Sequence, residues 1–358
     1  MSESLAAVFD GAASQIRLDR LPTPHPSVGE ILVHVAGCTL CGSDLHSFKG
    51  RRAVPVPTVL GHEIVGRIEA CGPSAPACDC RGTPLQIGDR VVWAIVASCG
   101  DCPLCRRGIP QKCLRGVKYG HEKFRPGYEL LGGFAEHCLL VPGTSVVKLP
   151  EDLPLEVACP AGCATATVAA ALEAAGPLAD RAVCVVGAGM LGLTACAMSR
   201  ASHAASVTAV DVRLSRRQLS DQFGATTCIG PEELAAAAAR TPDRLGFDVV
   251  LELSGAPEAV RQVWPHVRVG GRIVLVGSVF PAPDVPLSME QIVRRQLHVV
   301  GVHNYAPSHL VQAVQFLEDH HQDLPLGKLV SRRVALHDVA EAFACAADPN
   351  VIRVLVVP

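Results

Sequence analysis

The sequence predicts an α/β protein of two domains, a β-rich, barrel-like first part and a second part built on a doubly wound parallel sheet. Three observations predict it. The chain has 358 residues, too many for one ordinary core. Its first ~150 residues read as short strands punctuated by Gly and Pro. From about Leu155 onward, short β-branched runs alternate with helical stretches, the pattern of a parallel sheet with crossover helices.

In the first part the clearest strands are Ile31–Ala36, Ile64–Ala70, Arg90–Val96 and Phe134–Val141, with Pro22, Pro24, Pro26, Pro55 and Pro57 in the loops. Ala158–Ala175 is Ala-rich and helix-prone. The runs Ala182–Val186, Ser206–Val210, Asp248–Leu253 and Arg272–Val276 read as strands, and Met190–Ser202, Leu214–Phe223 and Glu232–Arg240 as the helices between them. The last stretch, Pro307–Pro358, reads as a helix followed by strands that fold back onto the first domain. No internal repeat is visible, and Ala235–Ala239 is the only low-complexity patch.

Composition narrows the function. The hydrophobic fraction of 49% supports a large core, and 32 basic against 34 acidic residues give a net charge of −2. That balance gives no reason to expect nucleic acid or an anionic membrane as partner. Residues 1–10 show no secretory pattern. The longest apolar stretch, Ala182–Met198, is shorter than the ~20 residues of a membrane span. The chain reads as cytoplasmic. Its sixteen cysteines then point to metal ligands plus some buried thiols rather than disulfides.

Cys99, Cys102, Cys105 and Cys113 are spaced C-x2-C-x2-C-x7-C, with Gly100, Pro103 and Gly108 supplying turns. Two-residue gaps let a tight loop wrap several thiolates around one ion at ~2.3 Å. With no fifth ligand evident the site reads as closed, structural zinc; an iron–sulfur cluster also suits four thiolates. A second group is scattered: Cys41, Ser43, Asp44 and His46 in CGSDLH, and Gly61, His62 and Glu63 in GHE. A third motif follows the strand Val183–Val186, where Gly187, Gly189 and Gly192, with Met190 and Leu191 between them, form G-x-G-x-x-G at the opening of a helix. Gly187 permits the tight turn, Gly189 admits a pyrophosphate, and Gly192 lets helix and strand pack closely. The helix N-terminus offers free N–H groups to the phosphates. The next strand ends at Asp211, 19 residues after Gly192. A carboxylate there accepts from the ribose hydroxyls and repels a 2′-phosphate, favouring NAD over NADP; Arg213, Arg216 and Arg217 nearby weaken that preference.

GHEIVGRIEACGPSA, with Gly61, His62, Glu63, Gly66 and Gly72, resembles the zinc-site signature of the medium-chain zinc-dependent alcohol dehydrogenases. The four-cysteine loop and the dinucleotide motif match as well, so the resemblance covers essentially the whole chain. It implies a GroES-like catalytic domain holding both zinc sites (1–157), a Rossmann NAD-binding domain (158–303) and a returning C-terminal segment (304–358), with the chemistry in the cleft between the domains. It implies two zinc ions per subunit. The catalytic one is held by Cys41, His62 and Cys163, with Glu63 a transient ligand and the fourth position left for water or substrate. Cys159 is the alternative to Cys163. Asp44 would fix the His62 ring. Zinc would acidify the substrate hydroxyl, hydride would pass to the nicotinamide, and the proton would leave through Ser43 and His46. Thr167 would contact the nicotinamide side, Arg216 would flank the adenosine ribose, and Arg353 would reach the pyrophosphate. The chain departs from many relatives in carrying Gly42 where they have a basic residue after the first ligand cysteine.

The expected substrate is a small alcohol or its carbonyl product. Phe48, Trp93 and Ile95 are candidate pocket walls. The basic stretch from Lys118 through His121 and Lys123 to Arg125, together with CRRGIPQKC and PAGCATAT, is similar to a bacterial subgroup associated with phosphonate metabolism. That suggests an anionic alcohol such as a hydroxyalkylphosphonate; the alternative is a solvated lobe or a subunit contact. Polyol and amino-alcohol dehydrogenases of the sorbitol and threonine type share every motif. A zinc-free quinone or enone reductase and a non-catalytic zinc and nucleotide-binding protein are further alternatives. The resemblance also implies a homodimer or homotetramer paired through the edge strand near Leu297–Val302.

Overall fold

A computed structural model of the chain describes residues 2–12 and 16–358. It contains two compact units. One comprises Met1–Ala166, Ala306–Gln322 and Leu326–Pro358; the other comprises Thr167–Tyr305 and Asp323–Pro325.

The first unit is β-rich. Its main sheet runs Val146–Lys148, Arg90–Trp93, Glu63–Cys71, Ile31–Thr39, Arg353–Val357 and Val330–Ala335, with His137–Leu140 also pairing onto Ile31–Thr39. A smaller sheet joins Arg17–Pro22, Glu3–Phe9 and Thr58–Val59. Inward side chains such as Val33, Ile64, Val91, Phe134 and Val354 make one core. Each such burial contributes about 1.5–3 kcal/mol. Two features of this sheet position the site. The antiparallel register sets Thr39 opposite Glu63. The C-terminal strand returns to pair Leu355 with Thr39, which brings Arg353 to the same end.

The second unit holds a six-stranded parallel sheet in the order Thr227–Ile229, Ser206–Val210, Ala182–Val186, Phe247–Glu252, Val267–Leu275 and His298–Gly301. This is the 3-2-1-4-5-6 order of a dinucleotide-binding sheet. The helices Met190–Ala201 and Leu214–Gln222 follow its first two strands.

Several elements differ from expectation, each for a local reason. The expected helix Glu232–Arg240 is a 3-10 turn, Pro231–Glu233, followed by only Leu234–Ala238. Thr241 Oγ1 donates to Ala238 O at 2.9 Å and Pro242 follows, so the helix cannot extend. Arg90–Val96 divides into Arg90–Trp93 and Val96–Ala97, because Ile95 O turns away to accept from Tyr119 N. The unit boundary falls at 166/167 rather than 157/158. The intervening 3-10 turn Cys159–Gly162 is fastened to the first sheet, where Cys159 Sγ donates to Gly37 O at 3.4 Å. Among the described residues, no single helix is long and apolar enough to cross a membrane.

Candidate functional site

Three residues far apart in sequence converge in the first unit. The ligand atoms of Cys41, His62 and Cys163 all lie within 4.8 Å of one another. Cys41 is the N-cap of the helix Gly42–Phe48. His62 sits in the turn before the strand Glu63–Cys71, and Cys163 ends the 3-10 turn before the helix Ala164–Ala175. Of the two candidate cysteines in that segment, Cys163 joins the cluster, while Cys159 is fully buried and bonded to Gly37. Two sulfurs and an imidazole are a donor set suited to zinc, with a fourth position left over.

Asp44 ties the cluster together. Its fully buried carboxylate accepts from Cys41 N at 2.9 Å and Gly61 N at 3.2 Å, and its Oδ1 lies 3.2 Å from His62 Nδ1. One side chain therefore fixes both ligand-bearing turns and turns His62 Nε2 toward the sulfurs. Ser43 Oγ stands 3.3 Å from that Nε2, so a hydroxyl lies on the metal-facing side of the ring. Burial alone would lower the His62 pKa, but Asp44, by charge and hydrogen bond, together with Cys41 lifts it to about 10. Cys163 donates to Cys41, and Arg353 and His62 add to that against burial, so Cys41 is held as the thiolate of the pair. His46 is half-buried on the same helix, where burial and Arg51 lower it.

Glu63 and Arg353 form a buried pair behind the cluster. Arg353 Nε and one terminal nitrogen reach the two Glu63 oxygens at 3.0 and 3.2 Å, and Thr39 Oγ1 donates to Glu63 at 2.6 Å. That same guanidinium nitrogen lies 3.5 Å from Cys41 Sγ. Burial pushes Glu63 up to about 7, with the charge of Arg353 opposing it. Arg353, expected at a pyrophosphate, thus has its side-chain contacts with Glu63, Cys41 and the carbonyl of Ile352. Sequence reasoning found both residues but not their pairing, which depends on the return of the last strand.

The four-cysteine loop closes as its spacing predicts. Sulfur separations of 3.3 Å (Cys99–Cys113), 3.5 Å (Cys102–Cys105), 3.9 Å (Cys102–Cys113) and 4.0 Å (Cys99–Cys105) bracket the ~3.8 Å edge of a tetrahedron with 2.3 Å bonds. Backbone N–H groups point at the sulfurs, Cys105 N at Cys102 and both Cys99 N and Arg115 N at Cys113, which favours thiolates.

In the second unit Gly187 has φ +93°, and a Cβ on Gly192 would lie 1.8 Å from Gly187 O. Neither position can carry a side chain as built. Gly189 is exposed, has no atom within 4 Å of its missing Cβ, and caps the helix Met190–Ala201. Met190 is buried and Leu191 half-buried in the first turn of that helix. Asp211 Oδ2 accepts from Ala188 N at 2.8 Å, and its Oδ1 accepts from Arg213 N at 2.9 Å. A carboxylate therefore borders the glycine loop. Arg217 donates to Asp211 O at 3.1 Å. Arg216 and Thr167 are both buried, on the helices Leu214–Gln222 and Ala164–Ala175. Of the expected pocket walls, Phe48 packs on Phe343 (4.7 Å between rings) and Phe9 (6.3 Å) as part of the core, while Trp93 and Ile95 are buried, Trp93 edge-on to Tyr119.

Two family profiles and several known proteins match the chain. Residues 27–151 match the family profile described as alcohol dehydrogenase GroES-like domain, and residues 191–319 match that described as zinc-binding dehydrogenase. The chain is 32% identical over 333 residues to an L-threonine 3-dehydrogenase of Anaeromyxobacter dehalogenans, covering 90% of this chain and 89% of the relative. It is 30% identical over 334 residues to the 5-exo-hydroxycamphor dehydrogenase of Pseudomonas putida, covering 90% of each. Among solved structures, an alcohol dehydrogenase from Thermotoga maritima superposes with a TM-score of 0.93 at 27% identity, covering 100% of both chains.

Proposed function

The chain belongs to the medium-chain zinc-dependent alcohol dehydrogenase family, and from that premise we propose that it oxidises a small alcohol, or reduces the matching carbonyl, at Cys41, His62 and Cys163 with NAD(H). The observation that carries this reading is the convergence of those three ligand atoms with the Ser43 hydroxyl beside them. Zinc when bound supplies Lewis-acid polarisation of the substrate oxygen, and nicotinamide supplies the hydride acceptor or donor. Cys41, His62 and Cys163 hold the metal, and Asp44 keeps His62 in the tautomer that presents Nε2. Ser43 Oγ takes the substrate proton and His46, half-buried at the far end of the same helix, passes it to solvent. Glu63 is the reserve ligand, tethered by Arg353. Cys99, Cys102, Cys105 and Cys113 hold a second, structural zinc.

Gly187, Gly189, Met190, Leu191 and Gly192 cradle the pyrophosphate. Asp211 receives the ribose, which supports NAD over NADP, with Arg216 beside it, and Thr167 serves the nicotinamide side. Arg353 stands as a pyrophosphate contact only if it leaves Glu63. Six cysteines used as metal ligands need a reducing compartment, which supports the cytoplasm. A homodimer or homotetramer through the sheet-edge strand His298–Gly301, where Val299 is exposed, is the assembly we carry.

Among substrates, likeness to L-threonine 3-dehydrogenases favours the threonine-type alternative over the hydroxyalkylphosphonate reading. The test is a coupled screen of alcohols with NAD and NADP on enzyme of measured zinc content. We expect NAD-linked turnover that disappears with the triad zinc. Turnover that persists without this zinc overturns the reading.

A further inference from the structure

Resting on the proposed NAD(H) site, we infer that Glu252 is a positioning residue of that site, which acts by curling the turn 253–255 against the glycine loop. Glu252 ends the strand Phe247–Glu252 and stands in register with Val186, the last residue of the strand that leads into Gly187. In the strand order 3-2-1-4-5-6 these two strands flank the reversal of the sheet, where this fold receives its ligand. Leu253 N donates to Val186 O at 2.9 Å. The chain then turns sharply, because three donors converge on one carboxylate oxygen. Ser254 N, Ser254 Oγ and Gly255 N donate to Glu252 Oε1 at 2.8, 2.5 and 2.8 Å. Ser254 Oγ in turn accepts from Ala256 N at 3.1 Å.

The turn has no slack on either side. A Cβ on Gly187 would meet Ser254 N, Cα and Cβ at 2.8–2.9 Å. On the far side, a Cβ on Gly277 would lie 2.2 Å from Gly255 N, and one on Gly255 would lie 2.5 Å from Gly277 O. Val276 N and Gly277 N both donate to Glu252 O at 3.0 Å. The glycine loop is thus held between two strand ends that each carry a carboxylate. Asp211 takes Ala188 N from one side, and Glu252 sets the turn that Gly187 rests on from the other. Ser254 is exposed, whereas Glu252 is fully buried. Every side-chain hydrogen bond of Glu252 goes to the turn, on Oε1. Its Oε2 is buried without a hydrogen-bond partner among the described residues. A bare buried carboxylate oxygen weakens a fold. Glu252 is therefore a poor stabiliser of the core and a strong anchor for the turn.

The test is NADH binding by fluorescence titration, with steady-state kinetics and amide hydrogen exchange, on zinc-loaded enzyme. In Glu252→Ala, Kd for NADH and KM for NAD should rise about tenfold or more, the scale of one charge-assisted hydrogen bond. At saturating NAD, kcat per triad zinc should change less than about threefold, the mark of lost binding rather than lost chemistry. Amides of residues 253–256 and 187–189 should exchange faster. Glu252→Gln keeps an acceptor oxygen and the shape, and should recover NADH binding to within about threefold. Glu258→Gln, at an exposed acid on the helix Pro257–Val263, should leave binding and exchange in place. If Glu252→Ala does not fold, Ser254→Ala decides. It removes one of the three bonds at an exposed position and should raise Kd for NADH about threefold or more; an unchanged Kd there overturns the inference. A lower melting temperature in Glu252→Ala with NADH affinity kept overturns it too, as does a Glu252→Gln enzyme that binds as weakly as Glu252→Ala. Failure of the dehydrogenase reading looks different, since the unsubstituted enzyme then binds no NADH.

Discussion

The two clusters of candidate metal ligands in the first unit draw on the same side-chain types in opposite ways. The four-cysteine loop draws all its ligands from fifteen consecutive residues, 99–113, and fills a tetrahedron by itself. The triad draws Cys41, His62 and Cys163 from three separate turns, stops at three ligands, and surrounds them with Asp44, Ser43, Glu63 and Arg353. A closed site of local thiolates gains stability for a loop with little core of its own. An open site lets the fold decide what completes the coordination, and the polar groups behind it matter only because a position is free.

Four substitutions sharpen that contrast. The largest effect is expected for His62→Ala. Lewis-acid stabilisation is worth several kcal/mol, so alcohol oxidation should fall by ~1000-fold or more, and zinc content by one ion per chain. Retention of full zinc would show that His62 is no ligand. Next is Arg353→Ala, which strands the buried Glu63 carboxylate and should cost about 3–5 kcal/mol in chemical denaturation. A loss near zero would show that Arg353 does not hold Glu63 as a buried carboxylate. Asp44→Asn keeps the shape but loses the charge facing His62 Nδ1, and should weaken zinc at the triad about 10–100-fold by competition with a chelator. The smallest effect on chemistry is expected for Cys105→Ser. The loop zinc should leave and a protease should cut within residues 99–113, while the rate per triad zinc changes less than about tenfold. A large kcat loss with the triad zinc intact would break the separation of roles.

The same contrast explains what could be read from the sequence. The four-cysteine spacing, the G-x-G-x-x-G loop and Asp211 are local patterns, and each is found with the geometry its spacing implies. The fold was legible for the same reason: Ala182–Val186 and Ser206–Val210 are strands to the residue. Choosing Cys163 over Cys159 required the resemblance, because the 3-10 turn that points one sulfur at Gly37 and the other at Cys41 leaves no mark in composition. The Glu63–Arg353 pair was not legible. It joins residues 290 positions apart through a strand pairing, and Arg353 carries no local motif. The helix Glu232–Arg240 was overextended because an alanine run has no built-in end, and the cap at Thr241 set it.

The central claim is that the triad is an open, three-ligand zinc site. Anomalous diffraction at the zinc edge from crystals of the purified protein tests it most directly. We predict two peaks per chain, one enclosed by the four loop sulfurs and one within bonding distance of Cys41 Sγ, His62 Nε2 and Cys163 Sγ, with an oxygen rather than a further side chain completing it at ~2.0–2.2 Å. A single peak confined to the loop, or a triad peak closed by a fourth cysteine or histidine, would contradict the account.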